Sequence, residues 1–176
     1  VRGVCDQLAE NGVIAIAPDL LSGQTYADID GARKAISALP KEQVKADLNA
    51  TSDYALTKIP AANGTLAVCG FCWGGGWAFG YASVNPKLKA AYSFYGVAVD
   101  NAEDAAKIAC PVYGFNAEND ARVNEAAIMV SSRVKNPQIY NNTFYITPSD
   151  QYSAETPPPA MLPRLKLLLT PLIIRG

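Results

Sequence analysis

The stretch Ala67-Val-Cys-Gly-Phe-Cys-Trp-Gly-Gly-Gly-Trp77 admits two incompatible readings. As Cys69-Gly-Phe-Cys72 it is a C-x-x-C pair, the spacing of a redox dithiol or half a zinc site. As Gly70-Phe-Cys72-Trp-Gly74 it is G-x-C-x-G, a sharp strand-to-helix turn that lifts a nucleophile above a parallel sheet. A dithiol needs its thiols at a helix N-terminus, where unpaired N–H groups stabilise a thiolate. Cys72 fits that position. Cys69 closes an apolar run, Thr65-Leu-Ala-Val-Cys69, and reads as a small core residue. Three successive glycines, Gly74 to Gly76, cost a helix roughly 1 kcal/mol each against Ala. Close backbone packing around a tight turn accounts for that cost, and dithiol chemistry does not. A glycine-rich loop without chemical meaning is the bland alternative, but a strand before it and a helix after it are the context a nucleophile turn requires.

Outward from this turn the chain alternates between two periodicities. Val4 to Glu10 has helical spacing and stops at Asn11-Gly12, and Val13 to Ala17 is a continuous apolar run of the kind buried on both sheet faces. Ala32 to Leu39 reads as a short helix, and Lys41 to Thr57 as a longer one with Val44, Leu48, Tyr54 and Leu56 available for its inner face. A helix from Trp73 to Ser83 follows the glycines, then a strand from Leu88 to Tyr95. Ala102 to Ile108 reads as helix, Cys110 to Phe115 as strand, Val123 to Val134 as helix and Thr143 to Ile146 as a fifth strand. Beyond the stiff Thr156-Pro-Pro-Pro159 linker, Met161 to Ile174 is apolar but broken by Pro163 and Pro171, and reads as a last helix closing the sheet with a poor pattern. Strands alternating with helices imply a mostly parallel sheet covered on both sides, in a single domain over residues 1–176.

Composition narrows the function classes. The 176 residues are 49% hydrophobic and 18% charged, with 15 basic and 16 acidic side chains, so no electrostatic footprint suggests nucleic acid or an anionic membrane. No apolar run reaches membrane-spanning length, and VRGVCDQLAE is not a signal peptide. That opening has no initiator Met and runs straight into a helix pattern, so the chain reads as a fragment, or as a mature form cut inside a domain. Four scattered cysteines make no disulfide framework; they fit the cytoplasm, while a longer N-terminus with an export signal would place the protein in the periplasm. Histidine is absent, which removes the usual general base and the commonest metal ligand; no metal and no cofactor is expected.

Gly70-Phe-Cys-Trp-Gly-Gly-Gly76, with Leu8 to Leu20 before it, Ala90-Ala-Tyr-Ser-Phe-Tyr-Gly96 after it and Pro111 to Val123 later, resembles the dienelactone hydrolase family. The likeness covers most of residues 4–146 in order. It implies an α/β-hydrolase fold, a mostly parallel sheet flanked by helices, here lacking its N-terminal strands. It also implies hydrolysis of small esters or lactones by a Cys-His-Asp triad without a metal. Cys72 would be the nucleophile, the N–H of Trp73 an oxyanion donor, and Asp120 the acid that orients the histidine, with a helix N-cap as its plain alternative. The family places its histidine after the next strand, where Tyr145 to Tyr152 puts Asp150, or Gln151 after a one-residue slip; neither is a competent base for a thiol. Trp77 and Tyr95 are candidates to line an apolar substrate pocket, and Arg122 to bind a substrate carboxylate, against core packing and a solvated Arg as the ordinary roles. The missing base leaves a second possibility, a relative on the same fold that binds its ligand without turning it over.

Overall fold

The computed structural model describes residues 1–97, 99 and 101–116, together with the backbone of the strand Lys166–Thr170. Ten elements follow one another: α1 (Arg2–Glu10), β1 (Ala15–Ile16), α2 (Ile29–Ala38), α3 (Lys41–Thr57), β2 (Leu66–Phe71), α4 (Trp73–Val84), β3 (Leu88–Phe94), α5 (Ala102–Lys107), β4 (Val112–Phe115) and β5 (Lys166–Thr170). The strands form one parallel sheet in the order β1-β5-β2-β3-β4. The expected helix Val123–Val134 and strand Thr143–Ile146 lie outside the described residues.

Alternation along each strand divides the core into two layers. Leu66, Val68, Ala91 and Val112 face a cluster built with Val44 and Leu48 of α3, Ala78, Phe79, Tyr81 and Ala82 of α4, and Ala105 of α5. Ala67, Cys69, Ala90 and Tyr113 face the other way, against Val4, Cys5 and Leu8 of α1. Burial on both faces is why β2 reads as an unbroken apolar run rather than an alternating one. Helix ends follow the sequence signals. Gly12 turns out of α1 at φ 78° with its N–H on the Ala9 carbonyl, Asp28 caps α2 through the Gly31 N–H at 2.6 Å, and Asn101 caps α5 through the Asp104 N–H at 2.7 Å.

Three expectations need correction. The tail is not a closing helix: Lys166–Thr170 is a strand inserted between β1 and β2. Pro163 and Pro171 leave too few residues between them for a stable helix, whereas an extended segment there pairs its backbone on both sides. The run Val13 to Ala17 contributes only Ala15–Ile16 to the sheet, paired with Leu167 and Leu168. On α3 the buried stripe is Val44, Leu48, Ser52 and Ala55, with Leu56 partly buried against the same core as expected, while Tyr54 is 56% exposed. Eleven residues from Val44 to Ala55 complete about three turns at 3.6 residues each, but ten residues to Tyr54 fall short and swing it outward.

Ser52 is tolerated in that stripe because it joins a satisfied polar network between α3 and α4. The Asn85 amide donates to Ser52 Oγ (3.0 Å) and to the Tyr81 hydroxyl (2.8 Å), Tyr81 donates to Asn49 Oδ1 (2.9 Å), and Asn85 Oδ1 accepts the Lys87 N–H (2.9 Å). The two bonds donated by the Asn85 amide are buried, so they form away from competing water. Asn85→Ala is expected to cost about 1–3 kcal/mol, read as a lower urea midpoint at unchanged slope. An unchanged midpoint would show the network to be dispensable.

Candidate active site

The end of β2 and the start of α4 meet at Cys72, which is exposed and stands at φ 55°, ψ −120°. That conformation costs a non-glycine residue about 1–3 kcal/mol and persists only where its surroundings impose it. Here the imposing group is the end of β3. The Cys72 N–H donates to the Phe94 carbonyl at 2.9 Å, and the Cys72 carbonyl accepts the Gly76 N–H at 3.1 Å as the first turn of α4 closes.

The glycines allow backbone to touch backbone at this point. A Cβ on Gly75 would stand 2.7 Å from the Phe94 carbonyl oxygen and 2.9 Å from the Gly96 Cα. One on Gly76 would meet the Val97 carbonyl at 3.1 Å, and one on Gly96 would overlap the backbone of Gly75 and Gly76. Tyr95, just before Gly96, is itself left-handed at φ 43°, with its N–H on the Phe115 carbonyl at 2.8 Å. Two strained residues, Cys72 and Tyr95, are thus held side by side by one glycine contact. The role of Gly96 went unread in the sequence; its signal was a small residue closing the strand Leu88 to Tyr95.

The four thiols have different fates. Burial, with Cys5 nearby, pushes the Cys69 thiol up to about 12, and burial pushes Cys110 up to about 11. Burial also raises the thiol of half-buried Cys5. Cys69 lies on the α1 face of β2, away from the helix terminus, so it is a core residue and not half of a dithiol. Cys72 is the exposed thiol, at a helix start where N–H groups lack intrahelical acceptors by position.

Aromatic rings line the same end of the sheet. Phe71 stacks on Phe94 (centroids 4.9 Å), Phe94 on Phe115 (4.5 Å), and Tyr95 tilts against Phe71 at 6.4 Å, its side 49% exposed. Trp73 and Trp77 meet edge-on at 5.9 Å and pack against the α3–α4 core. Cys72, Trp73 and Tyr95 are therefore brought together, and Trp77 sits one turn along α4. Asp120, Arg122, Asp150 and Gln151 lie outside the described residues. Among the described residues no group of three His, Cys, Asp or Glu could hold a metal ion.

Comparison with known proteins gives concordant results. Residues 1–142 match the dienelactone hydrolase family. The chain is 38% identical over 101 residues to a "Putative carboxymethylenebutenolidase" of Yersinia pestis, covering 54% of this chain and 38% of that protein. It is 32% identical over 142 residues to a protein of the same description from Salmonella typhi, covering 73% and 52%. The crystal structure of a "Putative Dienelactone Hydrolase" from Klebsiella pneumoniae superposes with a TM-score of 0.70 at 30% identity, covering 80% of this chain and 66% of that one. The chain spans about half the length of the curated relatives it matches.

Two expectations follow from this geometry. Gly96→Ala should cost about 2–3 kcal/mol, because backbone lies where the methyl must go, and thermal unfolding would read it; a wild-type midpoint would show that the contact yields. The thiols predict alkaline behaviour. Native Cys69 and Cys110 keep their protons above the pH at which an unfolded thiol, with its pKa near 8.5, loses them. The native state then binds more protons, so this contribution is whole below about pH 8.5 and is lost as pH rises towards 11 and 12. Cys69→Ala should flatten the fall of stability between those limits, and an equally steep fall would assign it to other groups.

Proposed function

Because this chain belongs to the dienelactone hydrolase family of α/β-hydrolases, we propose that it acts on a small ester or lactone through Cys72. The observation that carries the reading is the strained, exposed thiol at a strand-to-helix turn. A strained nucleophile aims its side chain out of the sheet at one fixed spot, and the glycines keep backbone from blocking the approach. The Cys72 sulfur, as thiolate, adds to the carbonyl carbon. The N–H of Trp73, at the positive end of α4, receives the oxygen as it gains charge. Collapse of the adduct breaks the bond to the alkoxide, which leaves and takes a proton from water, while the acyl group stays on sulfur as a thioester. A lactone opens in the same way and keeps its alcohol tethered to the acyl chain. Tyr95 and Trp77 are assigned to the apolar wall around the acyl group, and Arg122 to a substrate carboxylate.

Completing the cycle needs a base to activate water. In the family pattern Asp120 orients a histidine for that step, but the corresponding position here carries Asp150 or Gln151, and the 176 residues contain no histidine. General acid–base assistance is worth on the order of 10²–10⁴-fold, so without it the thioester should form and then hydrolyse slowly. The same observation favours the second reading, a relative that holds its ligand without turnover.

p-Nitrophenyl acetate separates the two. The expected result is a burst of about one p-nitrophenolate per chain, a slow phase after it, and a chain heavier by one acetyl group on Cys72. Cys72→Ala should abolish burst and adduct. A Cys72→Ala protein as active as its parent would overturn the proposal, and no adduct together with ligand protection against unfolding would establish the binding role.

A further inference from the structure

Behind the Cys72 turn lies a polar feature that this chemistry does not use. On the α4 face of the sheet, Gly70, Ser93 and Gly114 stand in register across β2, β3 and β4. Neighbouring strands lie about 4.8 Å apart and registered residues point to the same side, so Ser93 carries the one side chain in a row of three. Asn116, two residues beyond Gly114, shares that side. Its Nδ2 lies 3.5 Å from where a Gly114 Cβ would stand, so the amide folds back over the glycine beside Ser93.

Ser93 is 1% exposed. Its Oγ and the Oδ1 of Asn116 are both buried, and neither has a hydrogen-bond partner among the described residues. Native proteins leave few such atoms unmet, and two of them on one face of the sheet make a polar niche of the kind that an internal water satisfies. We infer that Ser93 Oγ and Asn116 Oδ1 share one buried water, the serine hydroxyl donating to it and the water donating to the amide oxygen.

This bridge ties the ends of β3 and β4 together directly behind the nucleophile. Ser93 precedes Phe94, whose carbonyl holds the Cys72 N–H, and Asn116 follows Phe115, whose carbonyl holds the Tyr95 N–H. The water link runs beside that backbone pair and stiffens the strand ends that keep Cys72 and Tyr95 strained. Ser93 and Asn116 are accordingly positioning residues for Cys72, a role that rests on the reading of Cys72 as the reactive group, whereas the water itself does not.

Two measurements test it. A high-resolution crystal structure of this chain should show a water about 2.7–3.2 Å from both atoms. Alkylation of Cys72 by iodoacetamide, followed against pH, should be about tenfold slower in Ser93→Ala at neutral pH, with a changed pH profile, as Cys72 loses its alignment with the α4 N–H groups. Ser93→Thr keeps the hydroxyl, sets its methyl beside glycine, and should restore the wild-type profile. A direct Ser93–Asn116 bond in the density, or a side chain from residues 117–165 in the niche, would overturn the water. A Ser93→Ala protein with the wild-type rate and pH profile would overturn the positioning role. Should Ser93→Ala fail to fold, the density and the Ser93→Thr profile decide. A water in the density combined with no acetylation by p-nitrophenyl acetate upholds the bridge and counts only against the ester reading.

Discussion

The contact between Gly75 and Gly96 is the constraint on which the site depends. Two backbone segments, the first turn of α4 and the exit of β3, lie closer than any side chain would permit. That approach lets the Phe94 carbonyl reach the Cys72 N–H, which holds Cys72 in a conformation it would otherwise leave. The strain falls at an exposed thiol at a helix start, whose N–H is held by the end of β3. The glycines of α4 weaken the helix in isolation, and the tertiary contact offsets that weakness.

The surrounding sheet explains why such a turn can be rigid. Parallel strands with helices on both faces bury β2 and β3 nearly completely, and two separate clusters grip them from either side. Cys69 belongs to one of these clusters. The same burial that makes it a good core residue keeps its thiol protonated well beyond neutral pH, so a C-x-x-C spacing that suggests redox chemistry in the sequence has none of the electrostatics that chemistry needs. Three residues away, Cys72 has the opposite environment. Side-chain direction in a strand alternates with period two, and a sharp turn then redirects the chain, which is enough to separate an inert thiol from an exposed one.

The chemistry available to such a site depends on what accompanies the thiol. Helix N–H groups can stabilise a negative charge without any titratable partner, so in the proposed reaction addition to a carbonyl would need only the turn and α4. Release of the acyl group needs a base, and the sequence offers Asp150 or Gln151 where the family pattern has histidine. In the proposed reaction acylation and turnover would be separable, the first resting on backbone geometry and the second on one side chain.

Much of this was legible in the residues. Local signals marked α1, α3, α4, β2, β3 and β4, with α3 bounded by the same residues, Lys41 and Thr57, in sequence and structure. G-F-C-W-G-G located the turn and its family because steric need leaves few alternatives to glycine there. What tertiary structure alone decided was non-local. Tyr54 turned outward and Ser52 inward because the core needed a stripe spaced by helical turns and Asn85 stood ready to satisfy a buried hydroxyl. The apolar tail became a strand because two sheet edges were open to it, which no periodicity in a proline-bracketed segment can announce. The strain at Tyr95, the part played by Gly96 and the alignment of Ser93 with two glycines depend on register between strands. Alternation within a strand states which side of the sheet each residue takes but not which neighbour it meets, since register is fixed only when the strands pair.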